Sequence, residues 1–235
     1  MKSKVFLFLF LTASIASAQL DFTRTAGRGK VGTTGFQFLK IGTSARAVAM
    51  GESFIALAND ASAMYYNPAG LVQMQEREVA FSLTSWPADI NYGYVGAVLP
   101  SNRYGAVGVF VGALTTGDMK KTVPYKGWTG EYFSATDWIA GFSYGRGLTD
   151  RFSIGGNVKM LSEFLDTESV NTWAIDFGTM FNIGVQGIKF SMFLNNFGPN
   201  VKFIKEEFSL PTAFKIGVVM DAFKIGDNKM ILTFE

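Results

Sequence analysis

The chain has 235 residues, of which 48% are hydrophobic, 15% aromatic and only 17% charged, with 26 Gly, 23 Phe and a formal net charge of +2. Ordinary soluble domains carry roughly a quarter charged residues, so this chain is apolar and charge-poor, and its small net charge leaves no nucleic-acid footprint. It contains no Cys and no His, which excludes disulfides, thiolate chemistry, a lipoprotein anchor, the commonest metal ligand and the commonest general base near neutral pH.

The first residues read as an export signal. Lys2 and Lys4 form a basic start, Val5 to Ile15 an apolar core, and Ala16-Ser17-Ala18 a small-x-small cleavage site, so residues 1–18 are expected to be removed. Residues 19–35 are polar and Gly-rich and are expected to be a flexible leader. The leader contains Gly27-Arg-Gly-Lys-Val-Gly32, a literal G-x-G-x-x-G. A dinucleotide site needs a strand before that run and a helix after it. Neither is present, and no cofactor is expected.

Residues 36–76 change character. Ala45, Ala47, Ala49, Ala56, Ala58, Ala61 and Ala63 favour helix. Asn59 or Asp60 is placed to cap a short helix through Met64 or Tyr65, and Pro68 is expected to stop it. The segment is too small for a core of its own and must pack inside or against something else.

From residue 77 onward the period becomes two. Strands are expected over Arg77–Trp86, Asn91–Leu99, Tyr104–Thr116, Asp137–Gly147, Phe152–Phe164, Thr172–Asn182, Gly187–Asn195, Thr212–Phe223 and Lys229–Phe234. Gly117–Ser134, Leu165–Asn171 and Pro199–Pro211 read as longer loops, and Gly226-Asp-Asn as the last turn. In Thr172–Asn182, Trp173, Ile175, Phe177 and Phe181 point one way and Thr172, Asp176, Gly178 and Asn182 the other. No internal apolar run reaches the length of a spanning helix, which leaves a membrane β-barrel or a soluble β-protein with a large core. About nine strands of roughly 9–13 residues, with short turns alternating with longer loops, favour the transmembrane antiparallel barrel over a soluble sandwich, whose strands are shorter.

Three stretches carry a family resemblance: Phe38-Leu-Lys-Ile-Gly-Thr-Ser-Ala-Arg-Ala-Val-Ala-Met-Gly51, Asn59-Asp-Ala-Ser-Ala-Met-Tyr-Tyr-Asn-Pro-Ala-Gly-Leu71 and Leu194-Asn-Asn-Phe-Gly-Pro199. Together they resemble the PorV/PorQ family of FadL-like outer-membrane barrels, and Asn67-Pro68-Ala69 resembles the NPA signature of FadL-type transporters. The resemblance implies a barrel of about 14 strands with a small N-terminal helical hatch in its lumen. Residues 77–235 would supply a partial barrel of about nine strands, and a C-terminal truncation is the expectation. It further implies a bacterial outer-membrane location, with outer-membrane lipids, secreted cargo proteins and other components of type IX secretion as partners. The alternative it leaves open is a channel for hydrophobic small molecules.

Candidate functional residues are accordingly few. Arg46, Asp60, Asn67, Pro68, Ala69 and Gly70 are the hatch or gating candidates. Asn67 can bond backbone or wall, Pro68 fixes φ and Gly70 permits close packing to the wall. Turn chemistry alone also accounts for Asn67 to Gly70. Asp176 is the lumenal candidate; Arg46 and Asp60 are expected to form charge pairs with wall residues, Asp176 being the one that suits Arg46. No carboxylate pair reads as catalytic, Ser85 and Ser143 lack a His partner, and neither a catalytic nor a metal site is expected. The Lys120-Lys121 and Lys202–Lys205 clusters read first as solvated loop charge, and second as contacts for lipopolysaccharide phosphates or cargo.

Overall fold

Among the described residues, alternation resolves into thirteen strands. They are β1 (Glu78–Trp86), β2 (Ile90–Ser101), β3 (Gly105–Thr115), β4 (Met119–Val123), β5 (Gly127–Phe133), β6 (Ala135–Gly147), β7 (Phe152–Leu165), β8 (Glu168–Asn182), β9 (Lys189–Phe197), β10 (Val201–Phe203), β11 (Glu206–Phe208), β12 (Ala213–Ile225) and β13 (Asn228–Phe234). This computed structural model describes residues 34–235 except Asn102, Ile204, Lys205, Gly226 and Asp227. The export signal, nearly all of the leader, the Gly27–Gly32 run, Lys205 and the Gly226-Asp227 turn lie outside the described residues. The chain divides at residues 34/35, and the second unit, Gly35–Glu235, holds every element named here.

Nine strands form one antiparallel sheet in the order β1-β2-β3-β6-β7-β8-β9-β12-β13. Each expected strand is present, most extended by one to four residues. The sheet is open: β1 and β13 are its edges and do not pair with each other. The chain is thus all-β with few helices, and the described strands do not close into a barrel. Among the described residues no helix is long and apolar enough to cross a membrane.

The three expected loops contain more structure than their polarity suggests. Gly117–Ser134 is a hairpin, β4 on β5, with a bulge between Lys120 and Thr122. Pro199–Pro211 contains the β10–β11 hairpin. Leu165–Asn171 is mostly strand, because the β7–β8 ladder continues to Leu165↔Glu168. Only Asp166 and Thr167 turn there. Asp166 has φ 57°, a left-handed geometry that Asp tolerates. By the antiparallel order, the short β2–β3, β6–β7 and β8–β9 connections share one end of the sheet, and both hairpins rise from the other.

The two faces of the sheet invert the usual polarity. On β8, Trp173, Ile175, Phe177 and Phe181 are exposed, while Ala174, Asp176, Gly178 and Met180 are buried. On β7, Val158 and Met160 are exposed and Asn157 and Lys159 buried. Phe81 on β1 is 84% exposed. A water-soluble sheet with one solvated face puts its polar residues on that face. Here the apolar rows face outward and the polar side chains turn toward what covers the inner face.

Residues 36–76 cover it. A 3₁₀ turn, Gln37–Lys40, leads to α1 (Ala45–Ala49), whose N-cap Ser44 accepts from the Ala47 amide at 3.5 Å. The next helix, α2 (Ala63–Tyr66), starts later than expected, with Ser62 at its N-cap. Asp60 Oδ1 instead accepts from the Ser62 amide at 2.9 Å, setting the turn into the helix. Pro68 does end α2, but it also opens a second 3₁₀ helix, Pro68–Gln73, because its fixed φ suits a first helical position. Phe36, Phe38, Leu39, Phe54, Met64, Tyr66 and Leu71 from this segment join Tyr92, Tyr94, Val98, Phe110, Ile139 and Leu161 from the sheet in one hydrophobic cluster.

Candidate functional site

The polar groups that fasten the helical segment to the sheet gather at two seats. The first is Asn67, which is fully buried. Its extended backbone (φ −166°, ψ 101°) ends α2 and turns the side chain back on its neighbours. Its Oδ1 accepts from the Ala69 amide at 3.1 Å, and its Nδ2 donates to Ile55 O at 2.9 Å and to Thr179 O of β8 at 3.3 Å. The seat is Gly178, where a side-chain carbon would overlap Asn67 Oδ1. Ala69 is held from the next strand, its carbonyl accepting from Ser153 Oγ at 3.0 Å. A buried amide with these partners meets the rule that interior polar groups be satisfied.

The second seat is charged. Lys159 Nζ lies 2.7 Å from Asp176 Oδ1 and donates to Asn196 Oδ1 at 2.5 Å. Asp176 Oδ1 also accepts from the Asn196 amide at 2.7 Å, and Oδ2 from Asn157 Nδ2 at 2.7 Å. Asn157 Nδ2 in turn donates to Met64 O of α2 at 2.7 Å. Asn196, with φ 55°, donates from Nδ2 to Pro211 O at 3.1 Å. All four side chains are buried. The network joins α2, β7, β8 and β9 to the chain entering β12. An ion pair taken out of water needs such extra hydrogen bonds to offset its desolvation.

Four further tethers reach the sheet edges and the short-turn end. On β1, Glu78 Oε2 accepts from the Ala61 amide at 2.8 Å. Beside β13, Glu235 Oε2 accepts from the Phe54 and Ile55 amides at 3.1 and 3.4 Å, while its Oε1 lies 2.6 Å from Lys215 Nζ. Thr233 Oγ1 donates to Ser53 O at 3.0 Å. Near the short turns, Lys189 Nζ donates to Gln73 Oε1, and Gln73 Nε2 donates to Ala58 O at 2.9 Å. The segment is therefore bonded to both edges and to the middle of the sheet.

Several expected roles are reassigned by this geometry. Arg46 pairs with Asp60 at 2.9 Å and bonds Asn59 Oδ1 at 2.8 Å. That ion pair is internal to the segment and partly solvated, so it contributes at most about 1 kcal/mol. Asp176 pairs with Lys159 instead of Arg46, because the two lie on neighbouring strands. Gly70 does make a close approach, but to the Ala58 carbonyl of its own segment rather than to the wall. Lys159, Asn157, Asn196 and Glu235 are further residues of these seats and tethers that the sequence did not single out as candidates. The signal for two of them was present, since Asn157 and Lys159 sit mid-strand on the face opposite Val158 and Met160.

One titratable group in the segment is perturbed with consequence. Burial pushes the Glu52 carboxyl above its ordinary range, opposed by the Lys215 ammonium and assisted by the Glu235 carboxylate. Among the described residues no group of three or more acidic side chains is gathered as a metal site.

With a helical segment seated on the inner face of an inverted sheet, the family match can be read in place. The chain belongs to the uncharacterised protein family UPF0164. The match covers residues 10–167, hence the helical segment and β1 through β7, and it carries no activity with it. No curated protein matches the chain. Asn67, Asn157 and Lys159 fall inside the matched span; Asp176, Gly178 and Asn196 follow it.

Proposed function

We propose that this chain forms the wall and hatch of a bacterial outer-membrane β-barrel of PorV/PorQ type, non-catalytic and associated with type IX protein secretion. The observation that carries the reading is the inverted sheet. Rows of exposed Phe, Trp, Val and Ile on long antiparallel strands suit hydrocarbon, and the polar side chains behind them are spent on holding an internal plug. In a bilayer the unpaired N–H and C=O groups of β1 and β13 need hydrogen-bonding partners, so the reading requires both edges to be joined to further strands in the membrane. A hatch fastened to five or more strands is a fixed plug. That favours a barrel that works through its outer surface, receiving cargo proteins and partner components there.

A second reading has one observation in its favour. At the short-turn end, a cleft of about 420 Å³ lies between hatch residues Leu71, Val72 and Met74 and a wall side that carries Ser101, Arg103 and Arg146. An opening between plug and wall, apolar on its hatch side, is what a FadL-like channel for hydrophobic small molecules would need.

Migration on a gel with and without heating tests the barrel. A folded membrane barrel migrates differently before and after boiling and needs detergent to stay soluble; neither property in the purified chain would overturn the proposal. Deletion of the gene then separates the roles. Lost export of cargo proteins supports secretion, whereas intact export with impaired uptake of hydrophobic compounds supports the channel.

A further inference from the structure

We propose that the β4–β5 hairpin carries a binding site for an anionic saccharide, a sugar unit bearing phosphate or carboxylate. The hairpin presents Trp128 and Tyr132 side by side, ring centroids 5.8 Å apart and planes at 66°. Lys120 lies directly opposite Tyr132 in the ladder, and its Nζ stands 5.3 Å from the centre of the Trp128 ring. Trp128 and Tyr132 are 52% and 53% exposed, so two rings and an ammonium share one open corner. The Trp128 indole N–H donates to Glu131 O at 3.3 Å, which fixes that ring.

On the opposite side of the hairpin, Lys121 and Thr129 are engaged. Lys121 Nζ lies 2.7 Å from Asp166 Oδ2 in the β7–β8 turn and 3.8 Å from Glu131 Oε2, and Thr129 Oγ1 donates to Lys121 O at 2.9 Å. The adjacent lysines therefore divide the work. Lys121 anchors the hairpin to the large sheet, and Lys120 has no carboxylate partner among the described ion pairs. Lys126, in the hairpin turn, has none either among the described ion pairs.

The chemistry of this corner selects the ligand. The C–H face of a sugar ring is apolar and slightly positive, and it stacks on the negative face of an aromatic ring. A lysine held beside that ring adds a point charge for an anionic substituent. A purely apolar partner would gain nothing from Lys120, and a bare anion would gain nothing from the two rings. The inference goes beyond the membrane reading and needs no bilayer for its test.

The test uses the full chain in detergent and the deacylated, bis-phosphorylated glucosamine disaccharide, titrated by calorimetry. Saturable binding is expected. Trp128→Phe should weaken it modestly and Trp128→Ala or Tyr132→Ala by about tenfold or more. Lys120→Gln should weaken the phosphorylated disaccharide strongly and the unphosphorylated one little, and only the former should lose affinity as salt rises. No saturable binding, binding indifferent to Trp128→Ala, or inorganic phosphate binding as tightly as the disaccharide would overturn the proposal. A single-stranded oligonucleotide that outcompetes the disaccharide would replace it with a base-stacking site. Because the probe is soluble, failure here leaves the heat-modifiability result untouched, and the reverse also holds.

Discussion

Asn67 of the hatch and Gly178 of β8 form a complementary pair: the amide fits only because the strand has no side chain at that point. Gly178→Ala should therefore force the hatch outward or the strand aside. Overpacking of this kind costs about 1–3 kcal/mol. The expected outcome is earlier thermal loss of the folded gel form and faster proteolysis between residues 45 and 75. Unchanged protease resistance would show that the seat is looser than the geometry requires.

Asn67→Ala tests the same seat from the other side. It removes one acceptor and one shared donor, leaving the Ala69 amide and the Ile55 carbonyl buried without their partner. A loss of about 1–3 kcal/mol follows from unsatisfied interior groups. Asn67→Asp should be worse than Ala, since it keeps the acceptor, loses the donor and buries a charge. The ranking is measured by denaturant midpoints in detergent.

For the charged seat, single and double variants give opposite expectations. Asp176→Asn leaves the Lys159 ammonium buried without its counter-charge, at a cost of about 3–5 kcal/mol. Replacing both, as Lys159→Met with Asp176→Leu, should recover much of that loss. A double variant no better than the single would indicate that the hydrogen bonds from Asn157 and Asn196, not the charge pair, dominate the seat.

The exposed apolar rows make a direct test of environment. Val158 is 58% exposed at the middle of β7. Facing lipid, Val158→Lys should cost about 2–4 kcal/mol. Facing water, the same change should stay within about 0.5 kcal/mol. Refolding equilibria into lipid vesicles distinguish the two.

Glu52 gives the hatch a pH dependence of defined sign. Burial raises its carboxyl in the folded chain, so the folded state binds that proton more tightly than the unfolded state does. The associated stability is complete below the ordinary glutamate range and is lost as pH rises through the raised folded value. Glu52→Gln should remove this component, so the stability advantage of the variant over wild type should grow with pH. A difference that is flat from pH 4 to pH 8 would count against it.

Periodicity alone determined the nine strands, their approximate bounds and which residues share a face, because the side-chain period of two is a local property of the backbone. It also placed a helical segment before them and marked Asn67-Pro68 as its break. Which face is buried was a tertiary matter. Alternation on β8 separates Phe177 from Asp176 but does not say which of them meets the plug. The partners of Asp176, Arg46 and Gly70 were likewise beyond the sequence. Lys159 becomes the neighbour of Asp176 only through the β7–β8 register, and Glu235 meets the Phe54 amide across 181 residues of chain. Polarity misled at Gly117–Ser134, where exposed residues signalled a loop, yet a backbone ladder needs no buried side chains to form. Composition and pattern fixed the elements; long-range pairing decided which polar groups hold them together.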